Sequence, residues 1–215
     1  ATTSPFTIRV WAKDSFGNDF PYNGPVSMRA RIGGTDESAD YIITSTNTFV
    51  NGRLDALVQV TKRAFSVHLV IDSNTGVVET SGDFQVNSGP LDRVLVTFPG
   101  ETWTPGLNTP GFSGNLGAPV PAAAGGVLDP VKLRTADAFG NLVSGTWVVT
   151  LGCPTGYIFL LDEFGTLMSD THVTLSGTGT YQVVYRTAGE QHLSAEVGGI
   201  PTSFSSTVNV SPNVL

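Results

Sequence analysis

One five-residue pattern, acid–x–Phe–Gly–Asn, occurs at residues 14–18 (DSFGN) and again at residues 137–141 (DAFGN). Asp14, Phe16, Gly17 and Asn18 match Asp137, Phe139, Gly140 and Asn141 at an offset of 123. Three more anchors follow in the same order. Gly24, Val26 and Met28 match Gly145, Trp147 and Val149 at 121; NGRLDALVQV (51–60) matches TGTYQVVYRT (178–187) at 127; and His68-Leu69 matches His192-Leu193 at 124. Ordered anchors with nearly constant spacing mark an internal duplication. In a chain of 215 residues, each copy is then a unit of about 100 residues that closes its own core.

The unit is built from strands. In FTIRVWA (6–12), Phe6, Ile8, Val10 and Ala12 alternate with Thr7, Arg9 and Trp11. RLDALVQV (53–60) sets Leu54, Ala56, Val58 and Val60 on one face, and FSVHLVI (65–71) sets Phe65, Val67, Leu69 and Ile71 on one face. RVLVTF (93–98), VKLRTA (131–136), TWVVTL (146–151), TYQVVYRT (180–187), HLSAEV (192–197) and FSSTVNV (204–210) read the same way. Period-2 alternation over five to eight residues is the mark of a half-buried strand, and Gly- and Pro-marked turns fall between the runs. DEFGTLMSD (162–170) is read as a loop or a single helical turn.

About seven short strands per unit predict an all-β chain: two tandem immunoglobulin-like Greek-key β-sandwich domains. The first domain is set at residues 1–88 and the second at 89–215, with a long insertion near 107–126 that departs from the compact repeat. The seam falls at NSGPL (87–91), where DFQV (83–86) gives way to RVLVTF. So short a linker favours a stiff rod over freely hinged beads. The first unit lacks the leading strand that RVLVTF gives the second, as in a piece cut from a longer chain.

Charge narrows the partners. Eleven basic against eighteen acidic residues give a net charge of −7, which repels phosphate backbones, so nucleic acid is not an expected partner. No apolar run approaches the roughly 18 residues of a membrane-spanning helix, and no membrane insertion is expected in this chain. A single cysteine, Cys153, excludes an internal disulfide and a multi-cysteine zinc site.

The repeated pattern has a structural reading. Glycine supplies a positive φ, asparagine tolerates the left-handed region, and an aspartate accepts hydrogen bonds from amides two or three residues on. The phenylalanine is placed to plug one end of the sandwich. Calcium ligation by Asp14, Asp19 or Asp137 is the functional rival; each corner offers one or two carboxylates where calcium takes six to eight oxygens. No metal and no cofactor is expected.

DAFGNLVSGTWVVTL, followed by GTGTYQVVYRTAGEQHLSAEV and a closing strand, resembles the tandem immunoglobulin-like repeats of bacterial cell-surface and secreted proteins. GPLDRVLVTFPGETWTPG resembles the start of such a repeat, and TYQVVYRTAGEQHLSAEVGGIPTSFSSTVNV is also similar to filamin-type repeats. The resemblance implies an extracellular or cell-surface stalk, adhesin segment or spacer, whose partners are neighbouring domains of the same longer chain.

Catalytic signals are weak. G-x-S-x-G, H-E-x-x-H and the P-loop do not occur. His68 and His192 hold equivalent positions on the polar side of a strand, with Leu69 and Leu193 inward, and His172 stands apart. Asp162-Glu163 and Asp36-Glu37 read as solvated loop charge, and Cys153 as a small buried hydrophobe. Lys13 and Lys132 read as guards of sheet edges.

The aromatic residues offer more. Trp147 is in phase with Val149 and Leu151 and reads as core, whereas Trp11 shares a face with Arg9 and Lys13, and Trp103 lies in the loop PGETWTPG. Trp11 and Trp103 are the candidates for contact with a surface glycan, a host protein or an adjoining domain. The leading expectation is a non-catalytic structural or adhesive module of an exported bacterial protein. The alternative is a carbohydrate- or protein-binding accessory module of a larger secreted enzyme or adhesin.

Overall fold

The computed structural model describes residues 4–34, 36–38, 41–73, 75–106, 114–154, 156–168, 171–200 and 203–213. The chain divides into two compact units, Ala1–Gly89 with Gly106–Gly111, and Pro90–Pro105 with Phe112–Leu215. The regular elements of both are strands. Among the described residues no helix is long and apolar enough to cross a membrane.

The first unit holds β1 (Phe6–Trp11), β2 (Gly24–Ile32), β3 (Asp36–Ser38), β4 (Ile42–Thr44), β5 (Thr48–Phe49), β6 (Arg53–Val60), β7 (Ala64–Ser73), β8 (Val78–Thr80) and β9 (Phe84–Val86). One sheet has the order β1-β6-β4, and the other runs β3-β2-β7-β8, with β5 on β2 and β9 on β7. The inward residues of β2 and β6 meet in one core: Val26, Met28 and Ala30 from β2, Leu54, Val58 and Val60 from β6, joined by Val67 and Val86. Each fully buried Val or Leu contributes about 1.5–3 kcal/mol.

The second unit holds β10 (Arg93–Thr97), β11 (Glu101–Trp103), β12 (Asn115–Gly117), β13 (Ala122–Ala123), β14 (Val127–Ala136), β15 (Thr146–Gly152), β16 (Ile158–Leu161), β17 (His172–Ser176), β18 (Thr178–Tyr185), β19 (Gly189–Gln191), β20 (Ser194–Val197), β21 (Ser203–Phe204) and β22 (Val208–Ser211). Here β14-β18-β16 repeats β1-β6-β4, and β17-β15-β20-β21 repeats the β5-β2-β7-β8 layer. The second unit adds β10 on the outer edge of β14. It also adds β13, which runs parallel to β22.

The duplication is real, but two of its alignments slide by two residues. Ile8 pairs with Ala56 and Val131 with Tyr181. Ile8 and Val131 are 123 apart, so Ala56 corresponds to Tyr181 at 125, not 127. Likewise Met28 pairs with Ile71 and Leu151 with Ala195, which sets β2 against β15 at 123, not 121. A two-residue slip keeps every side chain on its own face, so alternation does not detect it.

Other expectations are corrected by local geometry. Phe65 is 77% exposed. The β7–β9 pairing shifts register between Ala64 and Val67, which turns Phe65 out of phase with Val67. β14 begins at Val127, earlier than its alternating part, because the strand passes Pro130 through a register irregularity. Lys132 sits on a strand paired on both sides and guards no edge. Asp36 and Glu37 lie on β3 opposite Ile32 and Arg31, not in a loop. Of the stretch 107–126, residues 107–113 lie outside the described residues. The remainder forms β12 and β13, which pair through their backbones with β11 and β22.

Candidate functional site

The repeated corner is a closed hydrogen-bond unit. Asp14 Oδ1 accepts the amides of Phe16 and Asn18, both at 2.9 Å, and Oδ2 accepts the Asn18 side-chain amide at 3.0 Å. The backbone closes the same loop: Asp14 N–H donates to Asn18 O, Gly17 N–H to Asp14 O, and Phe20 N–H to Ala12 O. Gly17 sits at φ 84°, a region open to glycine. In the second corner Asp137 Oδ1 accepts the amides of Phe139 and Asn141 at 2.9 Å, Oδ2 accepts the Asn141 side chain at 3.0 Å, and Val143 N–H donates to Thr135 O.

A third corner was hidden in DEFGT. Asp162 Oδ1 accepts Phe164 N–H at 3.0 Å and Thr166 N–H at 2.8 Å, while Gly165 N–H donates to Asp162 O and Met168 N–H to Leu160 O. The segment is a loop, as expected, and Glu163 is exposed, but Asp162 is more than solvated charge. Asp162 is an acceptor within its own turn. Thr166 stands where the other corners have asparagine, and the segment falls outside the repeat spacing, so the duplication does not mark it.

The environments of the corners differ. Asp137 and Asn141 are each 1% exposed. The Trp103 indole N–H donates to Gly140 O at 2.9 Å, and a Cβ on Gly140 would lie 3.3 Å from Gly114 Cα. The β11–β12 hairpin thus lids the second corner. Trp103 lies on β11, not in a loop, with the Arg134 guanidinium 4.6 Å over its ring. The first corner has no such lid among the described residues: Phe16 is 89% exposed, and Phe164 of the third corner is exposed too. The expectation that this phenylalanine plugs the sandwich fails for Phe16, while Phe139 is half-buried; the pattern closes through its backbone and needs no burial of the ring.

Hydrogen bonding from Asn18, first its side chain and then its backbone, holds the Asp14 carboxyl below its ordinary range. In all three corners the carboxylate is turned onto the chain's own amides. Among the described residues no group of three or more His, Cys, Asp or Glu is placed to hold a metal ion.

Trp11 lies on the outer face of β1. Arg9 Nε donates to Asp55 Oδ1 at 2.7 Å, Arg53 pairs with Asp55 Oδ2 at 2.5 Å, and the Arg9 guanidinium sits 5.9 Å from the Trp11 ring centre. Arg9 foremost, then Arg53, holds the Asp55 carboxyl below its ordinary range. Arg53 and Asp55 share the outer face of β6, and Arg9 joins them only when β1 pairs with β6, which the sequence does not display.

The remaining candidates are engaged locally. His68 Nδ1 lies 3.1 Å from Ser81 O, His172 is exposed on β17, and His192 is half-buried between β19 and β20. The Cys153 thiol donates to Gln191 Oε1 at 3.4 Å and packs half-buried against the core. Burial pushes the Tyr185 hydroxyl strongly up. Trp147 is half-buried against the same core.

A second repeated device went unread. Ser81 Oγ accepts Leu69 N–H at 2.8 Å while Ser81 N–H donates to Leu69 O; Ser205 and Leu193 make the same pair of bonds at 2.8 Å. The signal was present, since Ser81 and Ser205 share the 124 offset of His68 and His192.

No family model matches the chain, and no curated protein matches it. Similar solved structures include a glycosyl hydrolase family 2 member from Bacteroides cellulosilyticus DSM 14838, at TM-score 0.40 and 13% identity over 96% of this chain and 29% of that one. Domains 4 and 5 of the S-layer protein SbsC give TM-score 0.33 and 14% identity, over 94% of this chain and 79% of that one. The D0-D1 domain of Intimin gives 0.34 and 11%, over 97% and 91%. The chain spans under a third of the glycosyl hydrolase's length.

Proposed function

We propose that the chain is a non-catalytic structural module of an exported bacterial surface protein, a stalk or spacer that carries load between other domains. One observation supports this above the rest. The polar residues that recur between the units, Asp14 and Asp137 at the corners and Ser81 and Ser205 at the strand margin, each bond the backbone of their own unit. Duplicated polar groups devoted to closing turns suit a part whose work is to stay folded. Pulling the chain between handles in a force spectrometer tests it. The expected trace has two separate unfolding events, each releasing roughly 300–400 Å of chain at about 3.5 Å per residue. Gradual extension without discrete events would refute it.

A second reading, a carbohydrate- or protein-binding accessory module, is favoured by Trp11, 52% exposed beside the Arg9–Asp55–Arg53 cluster. An aromatic face flanked by charged donors and acceptors suits a sugar ring. Saturable binding in a glycan panel that disappears in Trp11→Ala would favour this reading over the spacer.

A further inference from the structure

The two units differ at one margin, and the difference points to an occupant. In the second unit the outer edge of β14 is paired antiparallel by β10, with Leu95 opposite Arg134 and Thr97 opposite Lys132. In the first unit the corresponding strand, β1, pairs with β6 alone among the described residues. Ala12 N–H donates to Gly52 O on the β6 side. Backbone groups alternate in direction along an antiparallel strand, so those of Thr7, Arg9 and Trp11 face the open side.

Burial differs in the same place. Ile8 and Val10 point into the first core and are only half-buried. Their counterparts Val131 and Leu133, beneath β10, are 0% exposed. Val94, Val96 and Phe98 supply that cover in the second unit. The corner at the end of β14 is lidded by the segment that continues from β10, through Trp103 and Gly114. At the first corner Trp11, Phe16 and Phe20 are all more than half exposed.

We infer that the outer edge of β1 is a strand-accepting site. Its occupant is an antiparallel strand of β10's chemistry, with apolar residues at alternate positions on the side of Ile8 and Val10. Strand addition of this kind takes affinity from main-chain hydrogen bonds and register from the alternate side chains. The inference is independent of whether the chain is a spacer or a binding module.

The test adds the sequence Leu91–Pro99 to the full chain in two ways: as a free peptide, and fused ahead of Ala1 through a flexible linker of about ten residues, which raises its effective concentration. Amide hydrogen exchange is read at Thr7, Arg9 and Trp11. The expected result is slowing of about tenfold or more at these amides, saturable with the peptide and complete in the fusion. A scrambled segment should leave them unchanged. Unslowed exchange in the fusion overturns the site, as does equal slowing by the scrambled segment. Slowing that grows with chain concentration alone, with no added segment, overturns the occupant by assigning the edge to a second copy.

Discussion

Asp137 and Asp14 make the same bonds in opposite surroundings. Removing the Asp137 carboxylate leaves the amides of Phe139 and Asn141 without their acceptor in a site that is 1% exposed. Asp137→Ala should cost the second unit about 2–4 kcal/mol, read as a shift in its urea midpoint. Asp14 is solvated, and its contribution shows in pH dependence. Its folded carboxyl titrates below the unfolded value, chiefly because Asn18 bonds the ionised form. That stabilisation is whole above the unfolded value, and is lost as pH falls below about 4 and through the folded one. The first unit's melting temperature should therefore fall on acidification, and less steeply in Asp14→Asn than in the parent. An unchanged slope in Asp14→Asn would remove Asp14 from the account. Both corners were legible because Asp, Gly and Asn each have a distinct turn role. Their difference in burial was not, since it depends on whether Trp103 folds back over the turn.

At the scale of elements, the β6 hairpin shows how position decides the effect of one substitution. Asn51 and Gly52 both have positive φ, as a two-residue turn between twisted strands requires. A Cβ on Gly52 would collide with the Phe20 carbonyl oxygen, whereas one on Gly17 would meet nothing within 4 Å. Gly17→Ala should cost about 1 kcal/mol from backbone conformation alone. Gly52→Ala should cost about 3 kcal/mol or more in the same denaturation assay, since backbone must move as well. Equal losses would mean that the hairpin yields freely. Strands such as β6 and β15 were readable from alternation because one face is buried and the other wet. The two-residue slips were not, and neither were β12 and β13, whose Gly- and Ala-rich segments pair through backbone groups that leave no side-chain pattern.

For the whole molecule, the corners carry a consequence for ions. Their carboxylates already accept two or more amide donors each, which leaves little of the oxygen set that calcium demands. Millimolar EDTA or calcium should leave the unfolding midpoints of both units where they were. A rise with calcium that Asp14→Asn or Asp137→Asn cancels would reverse that conclusion. The two-unit, all-β plan was plain in the sequence because duplication and period-2 alternation are properties of the whole chain. A site formed by β1 with β6, such as Arg9–Asp55–Arg53, was not, because Arg9 is 46 residues from Asp55 in the chain.

The three tryptophans divide unevenly. Trp11 belongs to the first unit, while Trp103 and Trp147 belong to the second. Trp11 meets solvent, Trp103 lies under a guanidinium, and Trp147 rests against the core. The chain therefore carries its own optical labels. Replacing Trp103 and Trp147 by phenylalanine leaves an emission signal that belongs to the first unit alone. Replacing Trp11 leaves one that follows the second, so each half can be watched separately without an attached dye.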